Sequence, residues 1–117
     1  MEEYLQQGLL EKQVEHMQRN QYTQLLQKKI KTDMNFHSCL CLADNLMKLK
    51  DYSEAQQILD VIDKKWHRRE EYWVRKTQLF AEQKNGRAIQ AALKQMKEEH
   101  IYLSSKSKEV LAFWLDS

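Results

Sequence analysis

The chain has 117 residues, is 42% hydrophobic and 31% charged, and carries a formal net charge of +2. That is the size of one domain, large enough to bury roughly two thirds of its unfolded surface without metals or disulfides and too apolar for a disordered chain. The charge is too near neutral to announce nucleic acid, no apolar run reaches the length of a membrane span, and two glycines with no proline argue against turn-dense β folds and glycine-rich phosphate loops.

The acidic start, Glu2 and Glu3, lacks the layout of a signal peptide. Cys39 and Cys41 are too few for a disulfide scaffold. An intracellular, reducing compartment, cytoplasm or nucleus, is the expectation.

From the N-terminus, residues 3–30 read as helix, because Leu5, Leu9, Leu10, Val14 and Met17 recur at helical spacing. A second stripe of Tyr22, Leu25, Leu26 and Ile30 lies on a slightly rotated face. Residues 1–31 are therefore expected as a bent helix, or as a helical hairpin broken near Asn20. The first stripe is expected to pack on the domain, as most such stripes do. The sharper reading makes Leu10, Val14 and Met17 a seam for a partner or for self-association. Residues 31–35 connect, with good N-cap candidates. Residues 36–49 form the next helix, and its broad apolar set from Phe36 to Leu49 demands neighbours on more than one side.

Asp51 and Glu54 suggest a capping box, opening a helix that runs to about Trp66 with Ala55, Ile58, Leu59 and Ile62 on one face. Residues 70–83 follow, with Tyr72, Trp73, Leu79 and Phe80 apolar. Asn85 and Gly86 mark a tight turn in which Gly86 is free to take positive φ. Helices over residues 87–99 and 106–115 complete the chain. Short loops between amphipathic helices force antiparallel neighbours. One all-α domain over residues 1–117 is expected, a row of about five to seven helices packed as hairpins.

A shift of 34 residues superposes the apolar pattern on itself. Cys39 falls on Trp73, Ala43 on Thr77, Leu46 on Phe80, Ala55 on Ile89, Leu59 on Leu93 and Ile62 on Met96; a second shift carries Thr77 to Leu111 and Phe80 to Trp114. This resembles the tetratricopeptide repeat, a helix-turn-helix of the same period. Leu42 and Ala43, then Asp51 through Ala55 followed by Leu59, match the family pattern in the first unit. Trp73 and Phe80 match it in the second, where Lys76 and Thr77 replace the leucine-plus-small pair. The closing proline is absent from both units, where His67 and Ile101 stand.

The resemblance covers residues 36–115, about two and a half hairpins. It implies a right-handed α-solenoid whose first helices line a concave face. The missing proline and the C-terminal half-repeat are what a fragment of a longer array would show. The run from Ala91 to Ile101 also looks like the second helix of a pentatricopeptide repeat, an RNA-binding hairpin. That hairpin is one residue longer than the period found here, and Gly86 sits too close to Ala88 and Ile89 to serve as its glycine.

No catalytic constellation emerges. Cys39 and Cys41 point about 200° apart on a helix and cannot share a metal; both read as buried small hydrophobes. His16, His37, His67 and His100 fall on four elements and are read as having no i, i+4 partner, so no zinc site is expected. One stretch stands out. Lys64, Lys65, Arg68, Arg69, Arg75 and Lys76 oppose only Glu70 and Glu71, with Trp66, Tyr72 and Trp73 interleaved. Such a stretch could hold phosphates and stack bases, or clamp an acidic peptide or a C-terminal carboxylate. The plainer and preferred reading buries Trp66 and Trp73 and leaves the cations as a wet turn.

The expected function is non-enzymatic and without cofactor: a protein-binding module, an adaptor or a subunit of a larger complex, taking an acidic segment or amphipathic helix of a partner. Lys65, Arg68, Arg69, Arg75 and Lys76 are the candidate contacts, on a groove expected to be cationic, and Leu10, Val14 and Met17 form the alternative surface. Single-stranded RNA binding through residues 64–76 is the second reading.

Overall fold

The computed structural model describes residues 2–115, with side chains described over residues 13–112. Six helices follow one another: α1 (Glu2–Thr32), α2 (Phe36–Lys48), α3 (Tyr52–Trp66), α4 (Glu70–Glu82), α5 (Gly86–Glu98) and α6 (Ser105–Leu115). The chain is all-α across the described residues, and α2–α3 and α4–α5 form two hairpins packed side by side. Helix α4 is the hub, touching α2, α3, α5 and α6, while α1 packs on α2.

The helix starts are set by short polar side chains. Asn35 accepts the Ser38 amide at 2.8 Å, Asp51 the Glu54 amide at 3.4 Å, Asn85 the Ala88 amide at 3.1 Å and Ser104 the Ser107 amide at 3.3 Å. Each satisfies an amide left orphaned in a first turn. Arg69 precedes α4 and offers no side-chain cap. Acidic Glu70 and Glu71 stand in that first turn instead, where they suit the helix dipole.

The helix ends correct one expectation. Gly86 does not take positive φ; Lys50 (62°), Lys84 (56°) and His100 (57°) do. All three follow the same plan. In α4 the Lys84 amide reaches Ala81 O at 3.0 Å and the Asn85 amide reaches Phe80 O at 2.9 Å; Lys50 with Asp51, and His100 with Ile101, repeat the pair on α2 and α5. This is the Schellman ending, which tolerates a side chain at the left-handed position although glycine fits it best. Gly86 begins α5 with open space around it. The turn signal in the sequence was real, but the left-handed residue lies two positions before the glycine.

The 34-residue period reappears in the backbone. Phe36 and Glu70, Lys50 and Lys84, Asp51 and Asn85, and Tyr52 and Gly86 are equivalent in place and 34 apart. Between the hairpin arms Ala55, Leu59 and Ile62 of α3 are wholly buried, as are Cys39 and Ala43 of α2 and Trp73 and Leu79 of α4. Phe36 packs on Trp66, ring centroids 5.2 Å apart, where the start of α2 meets the end of α3. Thr77 is also wholly buried, its hydroxyl bonded to Trp73 O at 2.8 Å. It occupies the small-residue position of Ala43 one repeat later, with its polar atom satisfied within the helix.

Helix α1 runs unbroken through Asn20. Arg19, Thr23, Leu26 and Ile30, spaced four, three and four, face the domain: Thr23 and Leu26 are buried, Arg19 and Ile30 partly so. Val14 and Met17 do not pack on the domain as expected; they are 50% and 61% exposed. Of the second stripe only Leu26 and Ile30 turn inward, while Tyr22 and Leu25 face solvent. The docking arc is half polar, so an apolar-only pattern chose the wrong face. The side chains of Leu5, Leu9, Leu10 and Trp114 lie outside the described residues.

Candidate functional site

Helices α2, α4 and α6 stand side by side and enclose an open groove of about 640 Å³. Met47 and Val74 are its buried apolar wall, and Val110 adds a half-exposed one. Asp44, Lys48, Glu70, Glu71, Arg75, Glu82 and Lys106 supply its charges, four carboxylates against three cations. The groove is therefore slightly acidic, contrary to the cationic one expected.

Several of these charges are already partnered. Arg75 donates from two nitrogens to both oxygens of Asp44, each at 3.1 Å, joining the two hairpins by a bidentate fork. Glu70 accepts the Ser104 amide at 2.7 Å, tying the start of α4 to that of α6. That bond holds the Glu70 carboxyl below its ordinary range. Tyr52 donates to Glu82 at 3.0 Å, and the bond to that carboxylate raises the phenol.

The five candidate cations are not brought together. Arg75 lines the groove. Arg68 leaves it and donates to Glu99 O and His100 O at 3.1 and 3.4 Å, at the C-terminal end of α5, where a cation meets the negative end of the dipole. Arg69 pairs with Glu71 at 3.0 Å and covers the Phe36 ring at 4.4 Å. Lys76 lies 4.9 Å from the Trp73 ring centroid and 5.6 Å from that of Tyr72. Lys65 lies 5.8 Å from that of Trp66. Tyr72 and Trp73 are buried, and Trp66 is half-buried against Phe36. The interleaved aromatics thus serve the core, and the cations cover them.

Comparison of the chain with family models, curated proteins and solved structures finds no match. The site is therefore read from its own chemistry.

A second cluster escaped the sequence. His67 sits between Asp63 at Nδ1 and Glu99 at Nε2, the latter at 2.7 Å. The ring meets Trp73 edge-on at 5.3 Å, and Trp73 Nε1 donates to His67 O at 2.7 Å. The bond to Asp63, then that to Glu99, raises the imidazole above its ordinary 6.5. His67 in turn holds Glu99 below its ordinary 4.5. Burial, then the nearby Asp63 charge, raises Tyr72 far above its usual range.

The i, i+4 spacing of Asp63 and His67 was present in the chain, and so was that of His37 and Cys41, whose Nε2 and Sγ stand 3.5 Å apart. The reading that the histidines have no i, i+4 partner is therefore corrected at His37 and His67. Glu99 comes from 32 residues further on and only the fold supplies it. Among the described residues no three His, Cys, Asp or Glu side chains gather as a metal site, and no helix is long and apolar enough to cross a membrane.

Proposed function

We propose that the chain is a non-enzymatic, tetratricopeptide-like protein-binding module, an adaptor or subunit of a larger complex, and that its ligand is an amphipathic helix of another protein. The observation that supports this reading is the open groove along α2, α4 and α6. It has an apolar wall and is lined by both hairpins and the last helix. Stacked hairpins present such extended faces for partner segments, and a groove with an apolar wall suits a helix read through its i, i+3, i+4 and i+7 positions. The excess carboxylate favours a helix with basic edges over the acidic segment. The free thiols Cys39 and Cys41 suit the cytoplasm or nucleus.

The test is selection of peptides from a random helical library against the whole chain, with affinity then measured by fluorescence anisotropy. Gln78 lies in the groove lining beside Val74 and Arg75, so selected peptides should bind Val110→Asp and Gln78→Arg at least about tenfold more weakly, a change near 1.4 kcal/mol, while both variants melt with the parent. Peptides indifferent to both changes overturn the groove. Single-stranded RNA binding that falls steeply with salt would transfer the function to a nucleic-acid ligand.

A further inference from the structure

The turn between the two hairpins holds the turn one repeat later. His67 Nε2 meets the Glu99 carboxylate at 2.7 Å, Arg68 donates to Glu99 O and His100 O, and Glu70 accepts the Ser104 amide. Residues 67–70 thus grip residues 99–104, the segment that delivers the chain into α6. Lys106, Ser107 and Val110 of α6 line the groove.

The preceding junction is built from other chemistry. There Phe36 packs on Trp66 and Arg69 covers the Phe36 ring, and none of these groups titrates near neutrality. One repeat before Asp63, His67 and Glu99 stand Lys29, Asp33 and Lys65. The histidine between two carboxylates therefore belongs to the second junction alone.

The groups that face His67 are Asp63 from α3, Tyr72 and Trp73 from α4, and Glu99 from the end of α5. Asp60 stands near Tyr72, whose phenol burial keeps un-ionised, and Arg68 stands beside Glu99. A protonated ring donates from both nitrogens and serves both carboxylates. A neutral ring has one N–H, so one carboxylate then faces a bare nitrogen. Asp63 lies one turn back along the helical backbone that His67 continues, and it keeps within reach of the ring. Glu99 comes from another helix, and its second oxygen, Oε2, is buried with no hydrogen-bond partner. Without the His67 proton, the Glu99 anion has one oxygen dry and the other against a lone pair, which is costly. Its side chain is 34% exposed, so turning to water relieves it.

We propose that residues 67–70 latch residues 99–104 through a proton on His67, and that loss of this proton releases Glu99, loosens the seat of α6 and weakens the groove for a guest. The effect on a guest rests on the groove reading; the latch itself does not. His67 is raised and Glu99 lowered from their ordinary values. The latch is therefore closed from the lowered Glu99 value up to the raised His67 value, and opens above it. Arg68 is charged throughout and keeps its hold on the two carbonyls, so the release is partial.

A nuclear magnetic resonance titration of the whole chain from about pH 5 to about pH 9 tests this. The side-chain carboxyl carbon of Glu99 should move with the His67 midpoint, and that of Asp63 should move less. Amide protection over residues 104–111, corrected for intrinsic exchange, should fall about threefold across that midpoint, while α2 keeps its own. His67→Gln and Glu99→Gln should each remove the step, and His100→Gln should keep it. Peptides selected for the groove should lose affinity by the same factor. Unchanged protection across the His67 midpoint, a step that survives His67→Gln or Glu99→Gln, a step lost in His100→Gln, or a response carried by Asp63 instead of Glu99 would each overturn the latch. Peptides that bind equally well on both sides of the midpoint would overturn its effect on the groove. A step that follows His67 while no peptide binds would uphold the latch and sink the groove reading.

Discussion

The seam between α2 and α3 and the seam between α1 and α2 are made by different physics. The first is closed by Ala55, Leu59 and Ile62 packed on Cys39 and Ala43, all wholly buried. The second rests on Leu26, with Ile30 half-buried, and on a polar clasp in which Asn45 donates to Arg19 O at 2.8 Å and to the Thr23 hydroxyl, while accepting from Arg19 Nη1 at 3.4 Å. Apolar burial supplies most of a fold's free energy, whereas a hydrogen-bonded clasp contributes little net and chiefly fixes register. The hairpins should therefore unfold as one body, and α1 should open separately and sooner.

The largest effect should come from overfilling the tight seam. Ala55→Leu forces extra methylenes between helices in contact and should lower stability by about 1–3 kcal/mol, read as an earlier melt of the whole domain. A variant melting with the parent would dissolve the distinction between the seams. Asn45→Ala should act on the other seam. It removes two bonds that Asn45 donates, to the Thr23 hydroxyl and the Arg19 carbonyl, while the Thr23 hydroxyl still donates to Arg19 O at 2.9 Å; the loss is about 1 kcal/mol, visible as faster hydrogen exchange and easier proteolysis in α1 while α4 and α5 keep their protection. Uniform loss across all helices would show that α1 belongs to the cooperative core.

A smaller effect lies at His67, which ties α3 to the end of α5. Its folded pKa is raised, so its contribution is full below 6.5 and is lost as pH rises through the higher folded value. Glu99 is lowered, so its contribution is present above 4.5 and is lost as pH falls through the lower folded value. Both act between these limits. His67→Gln should therefore lose most stability relative to the parent between pH 4.5 and 6.5 and approach it as pH rises through the raised folded value, a small effect for pairs this exposed. A pH-independent difference would leave His67 as packing against Trp73 only. The smallest expected change is a gain. Lys84 sits in left-handed backbone, and Lys84→Gly should stabilise by about 0.5–1 kcal/mol through relief of that strain, raising the melting temperature by a few degrees.

Helix bounds and hairpin pairing were legible because caps and apolar spacing are local, and the shift of Cys39 onto Trp73 gave the repeat. Besides the Glu99 side of the His67 cluster, three things were not legible. The left-handed residue was assigned to Gly86 because glycine is the usual occupant, yet the Schellman bonds place a lysine there. The inward face of α1 was misjudged because its docking partner, Asn45, lies more than twenty residues away and is polar. For the basic-aromatic stretch the preferred reading, aromatics inward beneath covering cations, matches the burial of Trp73; what the sequence did not show is that Arg68 goes to α5, Arg69 to α2 and Arg75, from α4, into the groove, so the candidate contacts do not converge.

The Arg75–Asp44 fork has a consequence for any guest of the groove. A guest cation reaching Asp44 must displace Arg75, and a guest carboxylate reaching Arg75 must displace Asp44, so charge recognition there is an exchange reaction rather than an addition. Its net gain is the small difference between two similar ion pairs, and selectivity shifts to shape and to how well the newcomer fits between Val74 and Val110. The fork acts as a resident competitor, which a weakly matched charge does not evict.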